Sequence, residues 1–204
     1  MIIIGDVHGC YKTLMALIAQ LPKEEKICFV GDLIDRGNDS KKVLDFVLRE
    51  YDCVKGNHEE MMLMDRDMWY CNGGKATEES INALPREPRK TVDYYKELIQ
   101  SLPYYLEYDL EKDGRKLLVC HAGIINEDIQ ACVKSQMITW YRGDLPDIQK
   151  YYQVIGHSPV KEPIITEHYA NIDTGCVFAK QGYGILTALQ FPEMKIYQQK
   201  NIEE

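Results

Sequence analysis

At 204 residues the chain is long enough for one domain with a substantial core, and its 45% hydrophobic and 27% charged residues are those of an ordinary globular protein. No apolar run approaches membrane-spanning length, and Met1-Ile2-Ile3-Ile4-Gly5 lacks the basic region of a secretory signal, so neither an anchor nor a signal peptide is expected. A net charge of −8 disfavours a broad nucleic-acid-binding face, and seven cysteines without a Cys-x-x-Cys pair suit reduced thiols in the cytoplasm.

Met1-Ile2-Ile3-Ile4 reads as a short buried strand ending at Gly5-Asp6. Leu14, Leu17, Ile18 and Leu21 then recur at helical spacing, and Pro22 closes that helix. Lys26–Val30 is a second strand that stops at Gly31-Asp32. A second helix, with Val43, Leu44, Val47 and Leu48 on one face, leads to a third strand at Asp52–Lys55 and then to Gly56-Asn57-His58. Asp6 to Asp32 is 26 residues and Asp32 to Asn57 is 25, each near one βαβ repeat. Loops that follow parallel strands converge on one crevice, so these three turns are expected to face one another.

Between about residues 70 and 105 the rhythm breaks at Gly73-Gly74, Pro85, Pro88 and Pro103, which predicts a helical insertion with a helix over Lys90–Leu102. Beyond it, strands are expected near Tyr105–Leu110, Lys116–Cys120, Gln153–Ile155, Ala170–Ile172, Gly184–Leu189 and Lys195–Gln198, an all-β second half. Met61, Met62 and Met64 read as core filler on one helix. The fold class is α/β: residues 1–204 as one domain of two packed mixed β-sheets flanked by helices, opening on a βαβαβ unit.

Five short motifs lie on this frame: Gly5-Asp6-Val7-His8-Gly9, Gly31-Asp32-Leu33-Ile34-Asp35-Arg36-Gly37, Gly56-Asn57-His58-Glu59, His121-Ala122-Gly123 and Gly156-His157. Four of the five histidines fall within them, and only His168 lies outside. With Cys10-Tyr11, Asn72-Gly73-Gly74, Trp140-Tyr141-Arg142 and Ile172-Asp173-Thr174-Gly175, the motifs resemble those of the metallophosphoesterase superfamily. Within it the chain is similar to the phosphoprotein phosphatase family in its compact bacterial and lambda-phage form, from about residue 2 to residue 190. The resemblance implies a calcineurin-like metallophosphoesterase fold.

It also implies a site. Asp6 and His8 would bind one metal, Asn57, His121 and His157 a second, and Asp32 would bridge both. Carboxylate, amide and imidazole donors suit two divalent ions, manganese foremost with iron or zinc as alternatives. Two ions roughly 3.5–4 Å apart would hold a bridging hydroxide for direct in-line attack. Catalytic roles fall to His58 as general acid, Asp35 as its orienting carboxylate, and Arg36 and Arg142 as clamps on the phosphoryl oxygens. Arg36, Arg142 and Asn57 would contact the substrate, while Asp173 would support the site from behind.

The expected activity is phosphomonoester hydrolysis by a serine/threonine protein phosphatase acting on a phosphorylated protein or peptide, with no membrane or nucleic-acid partner. The alternative is a symmetrical dinucleoside tetraphosphate hydrolase, disfavoured because those enzymes generally carry a longer insertion. A third reading is a non-catalytic scaffold, against which every expected ligand and His58 are retained. Nothing in the sequence sets the oligomeric state.

Overall fold

A computed structural model describes residues 1–83 and 89–203. The opening strand β1 (Ile2–Ile4) has no polar side chain and is buried on both faces. Its alternation divides the core: Ile2 and Ile4 face one helical layer, whereas Ile3 faces the opposite sheet. Helix α1 (Tyr11–Ile18) lays Leu14 and Leu17 on β1 and returns the chain to β2 (Ile27–Phe29). Helix α2 (Ser40–Glu50) buries Val43, Leu44 and Val47 and leads into β3 (Asp52–Cys53). Strands β1, β2 and β3 are parallel neighbours, so the βαβαβ unit forms as read from the sequence.

Helices α3 (Asn57–Met64), α4 (Arg66–Cys71), α5 (Gly74–Asn82) and α6 (Val92–Gln100) follow, and the last two lie in the region read as a helical insertion, with α4 ending at its start. Pro85 and Pro88, two of the expected breakpoints, lie outside the described residues. Met61 and Met62 are buried as expected, but Met64 is 70% exposed. It lines a cleft of about 410 Å³ with Met68 and Met137 instead of filling the core.

The second sheet begins with the hairpin β4 (Tyr105–Lys112) and β5 (Arg115–Cys120). Two short helices, α7 (Ile129–Lys134) and α8 (Met137–Trp140), then interrupt what reads from sequence as an all-β half. They cover the outer face of this sheet, where Leu118, Cys120 and Ile155 pack on Ile129, Cys132 and Ile138. Strands β6 (Tyr151–Ile155), β7 (Ile164–Ile165) and β8 (Tyr169–Asn171) complete it in the order β4-β5-β6-β8-β7. A 3-10 turn over Cys176–Gln181 leads to β9 (Ile185–Gln190) and β10 (Lys195–Lys200), which rejoin the first sheet in the order β10-β9-β1-β2-β3.

The result is four layers, helices, sheet, sheet and helices, with the two sheets meeting through Ile3, Val119, Val154, Ala170, Ile172 and Leu189. This matches the calcineurin-like metallophosphoesterase architecture. All seven cysteines are free thiols, and only Cys71 is exposed. No helix among the described residues is long and apolar enough to cross a membrane.

Because Ile3 is fully buried between the sheets, Ile3→Ala should lower the unfolding free energy by about 2–5 kcal/mol. The exposed Ile165→Ala should change it by less than about 0.5 kcal/mol. Urea denaturation of the metal-free protein measures both.

Candidate metal centre

Each sheet contributes parallel strands whose carboxyl ends point to the same place. Asp6, Asp32 and Asn57 follow β1, β2 and β3, while His121, His157 and Asp173 follow β5, β6 and β8, which are also parallel to one another. The two-sheet packing therefore brings six loops to one end of the sandwich.

Asp32 stands at the centre, 2% exposed. Its Oδ2 faces His8 Nε2 at 3.5 Å, and its Oδ1 faces His121 Nε2 at 3.4 Å. Both imidazoles are fixed from behind: His8 Nδ1 donates to the Ile34 carbonyl at 2.7 Å, and His121 Nδ1 to the Val30 carbonyl at 2.8 Å. Each histidine is thus held in the tautomer that aims its Nε2 lone pair at a different oxygen of one carboxylate. On the second side, Asn57 Oδ1 lies 3.0 Å from His121 Nε2 and 2.8 Å from His157 Nδ1.

These convergent atoms are mostly acceptors, so something positive must sit among them. Burial opposes a charge on His121, yet Asp32 outweighs it and pushes the imidazole up to about 10. Asp32, although buried, is held well below the usual carboxylate range by His121 and His58. Burial and the neighbouring His121 push His157 down to about 3, and burial with His58 lowers His8 likewise. A dry nest of carboxylate, amide oxygen and neutral imidazole that draws in a proton is the donor set a divalent cation takes. His8, Asp32 and His58 form one tight triad of potential ligand atoms, and Asp32, His121 and His157 form another.

Two expected residues sit differently. Asp6 is buried but outside both triads; its carboxylate accepts from the His157 backbone N–H at 3.1 and 3.3 Å, and burial with the Asp173 charge raises its pKa well above the usual range. His58 lies inside the first triad, its Nε2 4.0 Å from Asp32 Oδ2, although the sequence reading gave it no ligand role. Its Nδ1 pairs with Asp35 Oδ2 at 2.6 Å. Asp35 in turn accepts from Trp69 Nε1 at 2.8 Å and Thr77 Oγ1 at 2.7 Å.

Arg36 reaches over the cleft against His8, its guanidinium 5.0 Å from the Phe178 ring. Arg142, exposed, donates to Ser158 Oγ at 3.3 Å and makes no ion pair among the described residues. Together with Asp173, which burial pushes up to about 6, these side chains line a cleft of about 70 Å³.

Several of these groups are invisible to motif reading. Trp69, Thr77 and Phe178 are ordinary packing residues that lie outside the five motifs. Glu59 had a signal that went unused, since Gly56-x-x-Glu59 has capping-box spacing. Its carboxylate accepts from the backbone N–H groups of Asp32 (2.8 Å), Leu33 (2.8 Å) and Gly56 (2.9 Å), locking two motifs together. Burial and the Asp32 charge raise its pKa to about 7. Gly156 is required by contact, because a Cβ there would lie 1.9 Å from Asp6 Oδ1.

Residues 1–197 match the family described as calcineurin-like phosphoesterase. The chain belongs to that family. Among calcineurin-like relatives, an asymmetrical bis(5′-nucleosyl)-tetraphosphatase PrpE of Halalkalibacterium halodurans is 35% identical, over 95% of this chain and 90% of its own length. A protein of the same name from Bacillus subtilis is 33% identical over 95% and 91%. Among solved structures, a candidate diadenosine tetraphosphatase superposes with a TM-score of 0.65 at 19% identity, covering 100% of this chain and 94% of its own. A yeast protein serine/threonine phosphatase superposes with a TM-score of 0.66 at 13% identity, covering 100% and 80%. These two likenesses establish the calcineurin-like fold alone.

The relatives correct the substrate expected from sequence. Proteins 31–35% identical over most of the chain carry the name of tetraphosphatases, so the serine/threonine protein phosphatase and its phosphorylated protein or peptide partner are withdrawn. The motifs could not separate the two, because attack on phosphorus needs the same metal-binding donors whichever group leaves. The length argument fails as well: this short chain matches those relatives across nine-tenths of their length.

Glu59→Gln replaces one of the two carboxylate oxygens that accept from three buried N–H groups with an NH2 donor. It should cost about 1–3 kcal/mol of stability. A lowered Tm and urea midpoint in the metal-free protein are the expected readouts.

Proposed function

We propose that the chain is a two-metal hydrolase of dinucleoside tetraphosphates that cleaves them off-centre, into a nucleoside monophosphate and a nucleoside triphosphate. The observation that carries the chemistry is Asp32, whose two oxygens each meet a different, separately anchored imidazole. The substrate class rests on the tetraphosphatases that resemble the chain along 95% of its length.

In this reading Asp6, His8 and Asp32 hold one divalent ion, and Asp32, Asn57, His121 and His157 hold the other. When bound, such ions lower the pKa of water toward neutrality and neutralise phosphoryl oxygens. The donor set favours manganese, iron or zinc over calcium. The protein's own residues do the rest. Arg36 and Arg142 both line the cleft and clamp the phosphoryl group, with Asn57 beside them. Asp35, fixed by Trp69 and Thr77, orients His58 for the role of general acid toward the departing oxygen.

A phosphoanhydride changes what is asked of His58. Water adds at one end phosphorus, the P–O bond to the neighbouring phosphate breaks, and the electron pair leaves on a triphosphate. That group needs less protonation than an alkoxide, whose conjugate acid is far weaker. His58→Asn should therefore slow hydrolysis of an alkyl phosphomonoester by about 10²–10⁴-fold and of diadenosine tetraphosphate by less, with metal content unchanged. Equal losses on both substrates would remove the acid role.

Asp32→Asn should lower the content of both metals, and two full equivalents by elemental analysis would refute the bridging assignment. Chromatography of the products of diadenosine tetraphosphate tests the function itself. Equimolar AMP and ATP are expected. ADP alone would mean symmetrical cleavage, and turnover confined to a phosphopeptide would overturn the proposal.

A further inference from the structure

The cleft lined by the metal-binding residues has about 70 Å³ of space, enough for a few waters or one phosphoryl group and too little for a nucleotide. The remainder of any tetraphosphate must lie outside it. A second cleft of about 480 Å³, within the usual range for small-molecule sites, opens directly beside it, and Arg36 lines both.

We infer that this second cleft, through Lys12 and Lys180, binds the triphosphate arm of the substrate, the part that departs. The inference rests on the function proposed above. Lys12 stands in the first turn of α1, four residues after His8, and Lys180 near the end of the 3-10 turn, seven after Asp173. Both are exposed and neither makes an ion pair among the described residues. The same 3-10 turn carries Phe178, which stacks under the Arg36 guanidinium, so one short element sets the spacing of two of the three cations.

The carboxylates of this cleft are already engaged. Asp39 pairs with Lys42 at 2.7 Å, and Glu203 accepts from Thr13 N at 2.9 Å and Thr13 Oγ1 at 3.1 Å. Thr13 is neutral and leaves Glu203 its charge, so Lys12, Lys180 and Arg36 outnumber the one carboxylate without a cation partner in this space, on a protein whose net charge is −8. A chain of phosphates is the ligand that repays such an arrangement, since its charge extends in a line and each oxygen takes an ammonium or guanidinium donor. A phosphorylated side chain or an aryl phosphate has a single phosphoryl group and would stop at Arg36.

The test uses the metal-loaded full chain with a Lys12→Gln/Lys180→Gln double substitution. The ratio of kcat/KM for diadenosine tetraphosphate to that for p-nitrophenyl phosphate should fall at least about tenfold, mainly through KM for the dinucleotide. The Lys12→Arg/Lys180→Arg pair should restore most of it. A charge-matched control, Lys134→Gln/Lys150→Gln, alters exposed lysines on α7 and at the amino end of β6 and should leave the ratio alone. An unchanged ratio in the Lys12/Lys180 double variant, or an equal fall in the control, overturns the inference.

A wild-type protein that fails to cleave the dinucleotide would sink the proposed function but not end this test. Inhibition of p-nitrophenyl phosphate turnover by inorganic tripolyphosphate, at saturating metal, reads the cleft directly. Its inhibition constant should rise at least about tenfold in the double variant, and equal constants in both proteins would count against the cleft.

Discussion

A carboxylate that must stay ionised in a dry interior is the constraint around which this protein is built. Asp32 is buried between two sheets, and a lone charge there would be costly. It is tolerated because imidazoles from both sheets close on it and their far nitrogens are tied to backbone carbonyls. The sandwich keeps water out and so strengthens every interaction inside; the same dryness makes the nest unstable without positive charge. The upward pull of Asp32 on the His121 imidazole expresses the same demand for positive charge.

The backbone carries the corresponding strain. His8, Asp32, Asp35, Arg36 and His157 all have positive φ, between 46° and 74°, a conformation that side-chain-bearing residues avoid. Five of the eight such non-glycine residues among those described are site residues. Each costs on the order of 1–3 kcal/mol, which the buried strands and hydrogen bonds around them must offset. The sharp turn after each strand is what lets a side chain reach back over the strand end toward the common centre. The glycines beside them act by absence: a Cβ at Gly37 would meet the His8 carbonyl oxygen, and one at Gly56 the Asp32 carboxylate.

Much of this was legible because the relevant residues are chemically rare and closely spaced. Asp6, Asp32 and Asn57 each follow a short apolar run at a regular interval, and that pattern specifies both the βαβαβ unit and the convergence of its loops. The second sheet was harder. Its strands are short, and Ile129–Lys134 and Met137–Trp140 have too few residues to display a helical period, so an all-β half was the natural reading. The exposure of Met64 depends on how α3 packs, which a spacing pattern alone does not convey. Support from Trp69, Thr77 and Phe178 is a matter of packing and has no compositional signature. Substrate choice escaped for a deeper reason. The motifs encode donors for metal and phosphorus, whereas the residues beside the cleft that we propose meet the leaving group are ordinary lysines.

The order of strands in the first sheet has a consequence for how the molecule comes into being. Strand β1 is paired on one side with β2, some two dozen residues away, but on the other with β9, where Ile2 meets Gln190. Strand β1 thus waits for a strand far later in the chain before its second edge is covered. Until then a three-residue strand of pure isoleucine stays half-paired and prone to sticking. Contacts so distant in sequence slow folding, and the His121 and His157 loops join Asp32 only once the second sheet has assembled. Metal capture is therefore expected to be a late event, made by a nearly finished protein, with little part in nucleating the fold.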